Sequence, residues 1–95
     1  MVISMLTISL DMNSKIPMYE QIYEYIKKEI KTGGLPVHTK LPSSRNLSLH
    51  LQISRSTVEL AYNQLISEGY IESIPKSGYY VADIGELIQI TRTSI

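Results

Sequence analysis

Apolar positions change their period several times along the chain, and each change marks an element. Leu6, Ile8 and Leu10 alternate with polar neighbours, the period of two of a short strand, and the run from Asn13 to Pro17 breaks that pattern. From Pro17 the period becomes helical: in PMYEQIYEYIKKEIKTGG, Tyr19, Ile22, Tyr23, Ile26 and Ile30 share one face. Proline in the first turn, lysines near the end and Gly33 just beyond suit the entry, the negative pole and the left-handed exit of an α-helix.

The next segment, LPVHTKLP, is an extended connection. Pro36 and Pro42 exclude a helix interior, and Thr39 to Leu41 suit a brief strand. Ser43 or Ser44 then caps a short second helix, because a serine hydroxyl accepts from the free N–H groups of the first turn. Leu47 and Leu51 give that helix its buried edge. Gln52 and Ile53 make a tight connection to a third helix, capped most simply by Ser54; Ser56 with Glu59 offers an alternative capping box two residues later. Within this helix Val58, Ala61, Tyr62 and Leu65 fall on one face, and Ser56, Leu60, Asn63 and Ser67 on the other. After Gly69, the runs YIESI and YYVA flank the turn PKSG and read as a hairpin.

Helix, short strand, helix, tight turn, helix, hairpin is the order of a winged helix-turn-helix. The expected fold is mainly α, with three helices and a two- or three-stranded antiparallel sheet. Residues 1–16 form an N-terminal arm, 17–82 the domain and 83–95 the start of a linker. The helix-turn-helix occupies about 44–63 and the wing about 70–82. In such a motif the second helix presents its N-terminal end to the major groove, which accounts for the polar run at its front.

Composition narrows the function. The chain has 95 residues, 43% of them apolar, enough for one domain with a modest core. Zero net charge leaves no overall basic field, but between Glu29 and Glu59 there is no acid, while Lys31, Lys40, Arg45 and Arg55 lie there with His38 and His50. Cysteine is absent, which suits a reducing compartment, and the cytoplasm is the expected location. MVISMLTISLDM lacks a basic leader and a continuous apolar run, so it is read as neither a signal peptide nor a membrane anchor.

At the candidate surface, Arg55 offers a rigid fork that matches guanine O6 and N7 together, or a phosphate. Ser54, Ser56 and Thr57 supply short hydroxyls, and the open N–H groups of the helix end favour an anion. Arg45, at the start of the preceding helix, suits a backbone phosphate. Lys76, Ser77 and Gly78 form the hairpin tip, a cation beside small residues. Tyr19, Tyr23 and Tyr62 lie on the buried helix faces and read as core rather than as base-stacking platforms. Leu60 reads as an ordinary exposed leucine. No histidine cluster, nucleophile motif or phosphate loop is present, so neither catalysis, a metal nor a small-molecule site is expected.

From Pro17 to Val81 these motifs, in this order, resemble the DNA-binding domain of the GntR family of bacterial transcription regulators. PMYEQIYEYIKKEI, LPSSR and AYNQLISEGYI look most like the MocR subfamily. The resemblance implies double-stranded promoter DNA as partner, a homodimer on two half-sites, and contacts by Arg45, Ser54, Arg55, Ser56, Thr57 and the wing residues Lys76, Ser77 and Gly78. It also implies that a MocR-type protein continues into an aminotransferase-like domain holding pyridoxal phosphate, so this chain looks like an excised module without a cofactor. A short YtrA-type regulator is the close alternative, and a winged-helix module that binds protein instead of DNA is a further one. The chain departs from the family at Gln52, His38 and Lys76, where glycine is frequent, and at Glu59, an arginine in some relatives. An acid there repels phosphate, so Glu59 is not counted as a contact.

Overall fold

The first helix, α1 (Met18–Thr32), turns the buried side of its stripe inward through Ile22, Tyr23, Ile26 and Ile30. The computed structural model describes Ile8 and residues 10–83. Pro17 precedes α1 with φ −57°, and Gly33, at φ 88°, ends it in the left-handed conformation. Tyr19, placed on the buried face by its spacing, is only half-buried, because it lies in the first turn at the margin of the core.

Ser43 caps α2 (Ser44–Leu51), its Oγ accepting from the Asn46 N–H at 3.0 Å. Ser54 does the same for α3 (Arg55–Ser67), accepting from the Thr57 N–H at 3.3 Å. The alternative capping box on Ser56 is not formed, since the helix already starts at Arg55 and the Glu59 carboxylate is engaged with Arg55 instead. Between the two helices Gln52 adopts φ 59°, ψ 46°, and the Ile53 N–H reaches the Ser48 carbonyl at 3.0 Å. This left-handed step, awkward for a residue with a Cβ, gives the turn its sharpness. His38 and Lys76 are the other non-glycine residues at positive φ among the described ones, at 70° and 64°. All three positions at which a family glycine is replaced therefore keep the backbone that glycine would favour.

Three strands make the sheet: β1 (Lys40–Leu41), β2 (Ile71–Ile74) and β3 (Gly78–Val81), in the spatial order β1-β3-β2 and antiparallel throughout. The register pairs Lys40 with Tyr80 and Leu41 with Tyr79, and on the other side Ile71 with Val81. Alternation then sends Leu41, Tyr79, Val81 and Ile71 to the core face and Lys40, Tyr80 and Glu72 to the outer one. The expectation of two or three strands resolves to three because the short connection segment joins the hairpin.

Helix and sheet layers meet around Ile22, Ile26, Leu47, Val58, Tyr62, Leu65, Ile71 and Val81, all essentially inaccessible to solvent. Each large aliphatic among them contributes about 1.5–3 kcal/mol. The predicted inward face of α3 is the buried one, while Leu60, Asn63 and Ser67 are exposed. Of the proposed N-terminal strand, Leu6 lies outside the described residues. Ile8 and Leu10 pack against the core without being part of a strand. The proposed linker beyond Asp83 also lies outside them.

Candidate nucleic-acid interface

Two features fix how α3 presents its front end. The tight turn after α2 sets its direction, and the Tyr62 hydroxyl, wholly buried, donates to the Pro42 carbonyl at 2.7 Å, tying the middle of α3 to the entry of α2. Tyr79 of β3 packs edge-on against the same ring, with centroids 4.7 Å apart. The middle of α3 thus rests on both the sheet and the entry of its partner helix.

At that front the hydroxyls are already organised. Ser54 Oγ lies 2.7 Å from Thr57 Oγ1 and 3.3 Å from Ser56 Oγ, besides capping the helix. Arg55 occupies the first helical position. Neither α2 nor α3 carries an acid in its first turn. A cation at the positive pole of a helix is electrostatically unfavourable for the isolated domain, and an incoming anion reverses the sign of that interaction.

Arg55 is held from one side only. Its Nε donates to Glu59 Oε2 at 3.1 Å and to Ser44 Oγ at 3.3 Å, and the Ser44 hydroxyl in turn donates to Glu59 Oε2 at 3.4 Å. Ser44 is buried, whereas the Arg55 side chain remains 62% exposed. The terminal guanidinium nitrogens have no protein partner among the described residues. Sequence reasoning missed this role of Glu59; its four-residue spacing from Arg55 was the available signal. Arg45, in the first turn of α2, is exposed with its side chain likewise unengaged.

The wing residues form a second group. Lys76 stands exposed at the tip, and Ser77 Oγ lies 2.6 Å from the Tyr80 hydroxyl. Gly78 has φ 135°, and a Cβ there would lie 3.2 Å from Lys40 Cε. Lys40 is a further cation at this edge that the motif reading did not single out; its signal was the acid-free stretch in which it sits. Lys27, Lys28 and Lys31 line a shallow depression along α1, with Lys27 Nζ over the Tyr23 and Tyr70 rings at 5.3 and 5.8 Å. Among the described residues no group of His, Asp and Glu has the makings of a metal site, and no helix is long and apolar enough to cross a membrane.

The model of the bacterial regulatory proteins of the gntR family matches residues 18–81. The chain belongs to the GntR family. It is a DNA-binding domain of the winged-helix type found in these transcription regulators. It is 47% identical over 75 residues to the HTH-type transcriptional regulator YhdI of Bacillus subtilis, covering 79% of this chain and 16% of that protein. Identity is 38% over 86 residues to the probable rhizopine catabolism regulatory protein MocR of Rhizobium meliloti, covering 90% of this chain and 17% of the relative. The chain thus spans about a sixth of the length of these two relatives. Among solved structures, YtrA from Sulfolobus acidocaldarius, a GntR-family transcription factor, superposes with a TM-score of 0.75 at 35% identity, covering 92% of this chain and 94% of its own. The DNA-binding domain of AraR in complex with operator ORX1 gives 0.71 at 27% identity, covering 83% and 99%. The GntR domain described here therefore shares its fold with a domain solved on operator DNA.

Proposed function

We propose that this GntR domain reads a specific sequence in double-stranded promoter DNA with the front of α3 in the major groove. Arg55 donates to guanine O6 and N7, and Ser54, Ser56 and Thr57 contact adjacent phosphates or base edges. Arg45 and the wing residues Lys76, Ser77 and Gly78 fix the register on the backbone. The observation that carries this reading is Arg55 itself: a cation at the positive pole of α3, fastened only through Nε, with its outer fork unspent. The likeness to the AraR domain, solved with its operator, supports it.

The domain acts as part of a homodimer on two half-sites, in the cytoplasm, and performs no catalysis of its own. It belongs to a longer MocR-type regulator, a reading supported by the likeness to MocR. In such a protein pyridoxal phosphate is held by the further domain, and no residue of this chain is assigned to it.

Enrichment of duplexes from a random pool, followed by anisotropy titrations across a salt series, tests the reading. A recovered motif, a steep salt slope and a loss of about 1–3 kcal/mol at one base position in Arg55→Ala are the expected results. No enrichment even when the domain is dimerised through a fused coiled coil, with Arg55→Ala matching the parent, overturns it and favours a protein partner.

A further inference from the structure

We infer that Glu59 is a positioning residue for sequence discrimination: it holds the Arg55 guanidinium by its inner edge so that the outer edge meets a guanine already aligned. The inference rests on the assignment of Arg55 as the base-reading residue.

An arginine on an open helix end is a long side chain with many rotamers, and ordering it on binding opposes affinity and blurs the choice of partner. Here the ordering is already done. The Nε–H is taken by Glu59 Oε2 at 3.1 Å and Ser44 Oγ at 3.3 Å, and Ser44 links to Glu59 at 3.4 Å. Because Ser44 is buried in the first turn of α2, the clamp is anchored in the partner helix and not only along α3. A guanidinium has five N–H donors, and this arrangement spends the one on Nε while leaving the outer fork for bidentate recognition.

The placement has little value as a stabilising ion pair. Arg55 and Glu59 are 62% and 43% exposed, and the arginine precedes the acid, the weaker order for a pair along a helix. Its carboxylate also repels every phosphate that approaches, whatever the sequence. Glu59 therefore acts on two quantities in opposite directions: it weakens binding to all DNA and sharpens the difference between the right base and the wrong one.

The two effects separate in one experiment on the full chain. Affinities of the parent, Glu59→Ala, Glu59→Gln and Arg55→Ala are measured for the duplex recovered by enrichment and for a scrambled duplex of equal length. The Arg55 Nε–H order parameter is followed by NMR in the free proteins, and urea unfolding monitors the fold. Glu59→Ala binds the scrambled duplex as well as the parent or more tightly, loses roughly threefold to tenfold in discrimination, the factor for freeing one long side chain, and shows a mobile Arg55. Glu59→Gln keeps an acceptor for Nε and retains most of the discrimination. Unchanged discrimination in Glu59→Ala, while Arg55→Ala abolishes it, overturns the inference and leaves Glu59 an ordinary surface acid. Unchanged discrimination in Arg55→Ala overturns the base-reading assignment itself.

Discussion

Tyr62 donates its hydroxyl to the Pro42 carbonyl across the interior of the domain, from the middle of α3 to the residue just before the Ser43 cap of α2. The bond joins the helix proposed to read DNA to the segment that aims its partner. Tyr62→Phe keeps the ring contact with Tyr79 and removes only the hydroxyl. The expected loss is about 1–2 kcal/mol in urea unfolding, because the Pro42 carbonyl is left without this donor. A midpoint equal to that of the parent would show that water replaces the bond.

Gln52 is a stability reserve. Its φ of 59° costs a residue with a Cβ roughly 1–2 kcal/mol, and the greater freedom of unfolded glycine returns about half of that. Gln52→Gly therefore raises stability by about 0.5–1 kcal/mol with an unchanged denaturant slope, and Gln52→Val lowers it. A lower urea midpoint for Gln52→Gly would mean that the glutamine side chain contributes more than its backbone costs.

The Tyr23 hydroxyl donates to the Glu68 carboxylate and accepts from Lys27 Nζ at 3.3 Å. This bond, followed by the Gln64 amide, holds Glu68 below the usual carboxylate range, while burial first and the Glu68 bond second push Tyr23 upward. A carboxylate lowered on folding stabilises fully above its unfolded pKa of about 4.3, and that contribution is lost as pH falls through the folded value. A phenol raised on folding has the opposite limb: stability is intact below about pH 10 and declines above it as the unfolded chain ionises first. Glu68→Gln should flatten part of the acid limb in urea midpoints measured between pH 3 and 7. Parallel profiles for variant and parent would remove the contact from the pH response.

Cations assigned to the backbone have a different signature from one that reads bases. Arg45→Ala, Lys76→Ala and Lys40→Ala should each weaken matched and scrambled duplexes alike and reduce the magnitude of the salt slope by about one. An unchanged slope would place that cation away from DNA. Lys40 is the sharpest case, because it enters through its position beside Gly78 and not through any motif.

The helices were legible because their signals are local. Ile22, Ile26 and Ile30 repeat at helical spacing, and Ser43 and Ser54 stand where caps belong. The left-handed turn at Gln52 was legible only through the resemblance, since glutamine itself carries no sign of positive φ. What stayed hidden depends on residues far apart in sequence. Nothing in KL indicates that it pairs with GYYV, and nothing in SSR indicates that Ser44 will share Arg55 with Glu59. Glu59, an acid that repels phosphate, is the partner of Arg55 itself. Periodicity reports which face is buried; it does not report which polar atoms meet across a boundary between helices.

β3 lies between the other two strands although it is the last of them in the chain, and Val81 closes its end. Its N–H donates to the Thr39 carbonyl, its own carbonyl accepts from His38, both at 2.9 Å, and its side chain lies wholly in the core. That position limits the order in which the sheet can form. α1 packs on α3 across the intervening α2, and β1 has no strand to pair with until residues some forty positions later have emerged. A nascent chain halted before Gly78 therefore leaves β1 and β2 without the strand that lies between them, and the core without Val81.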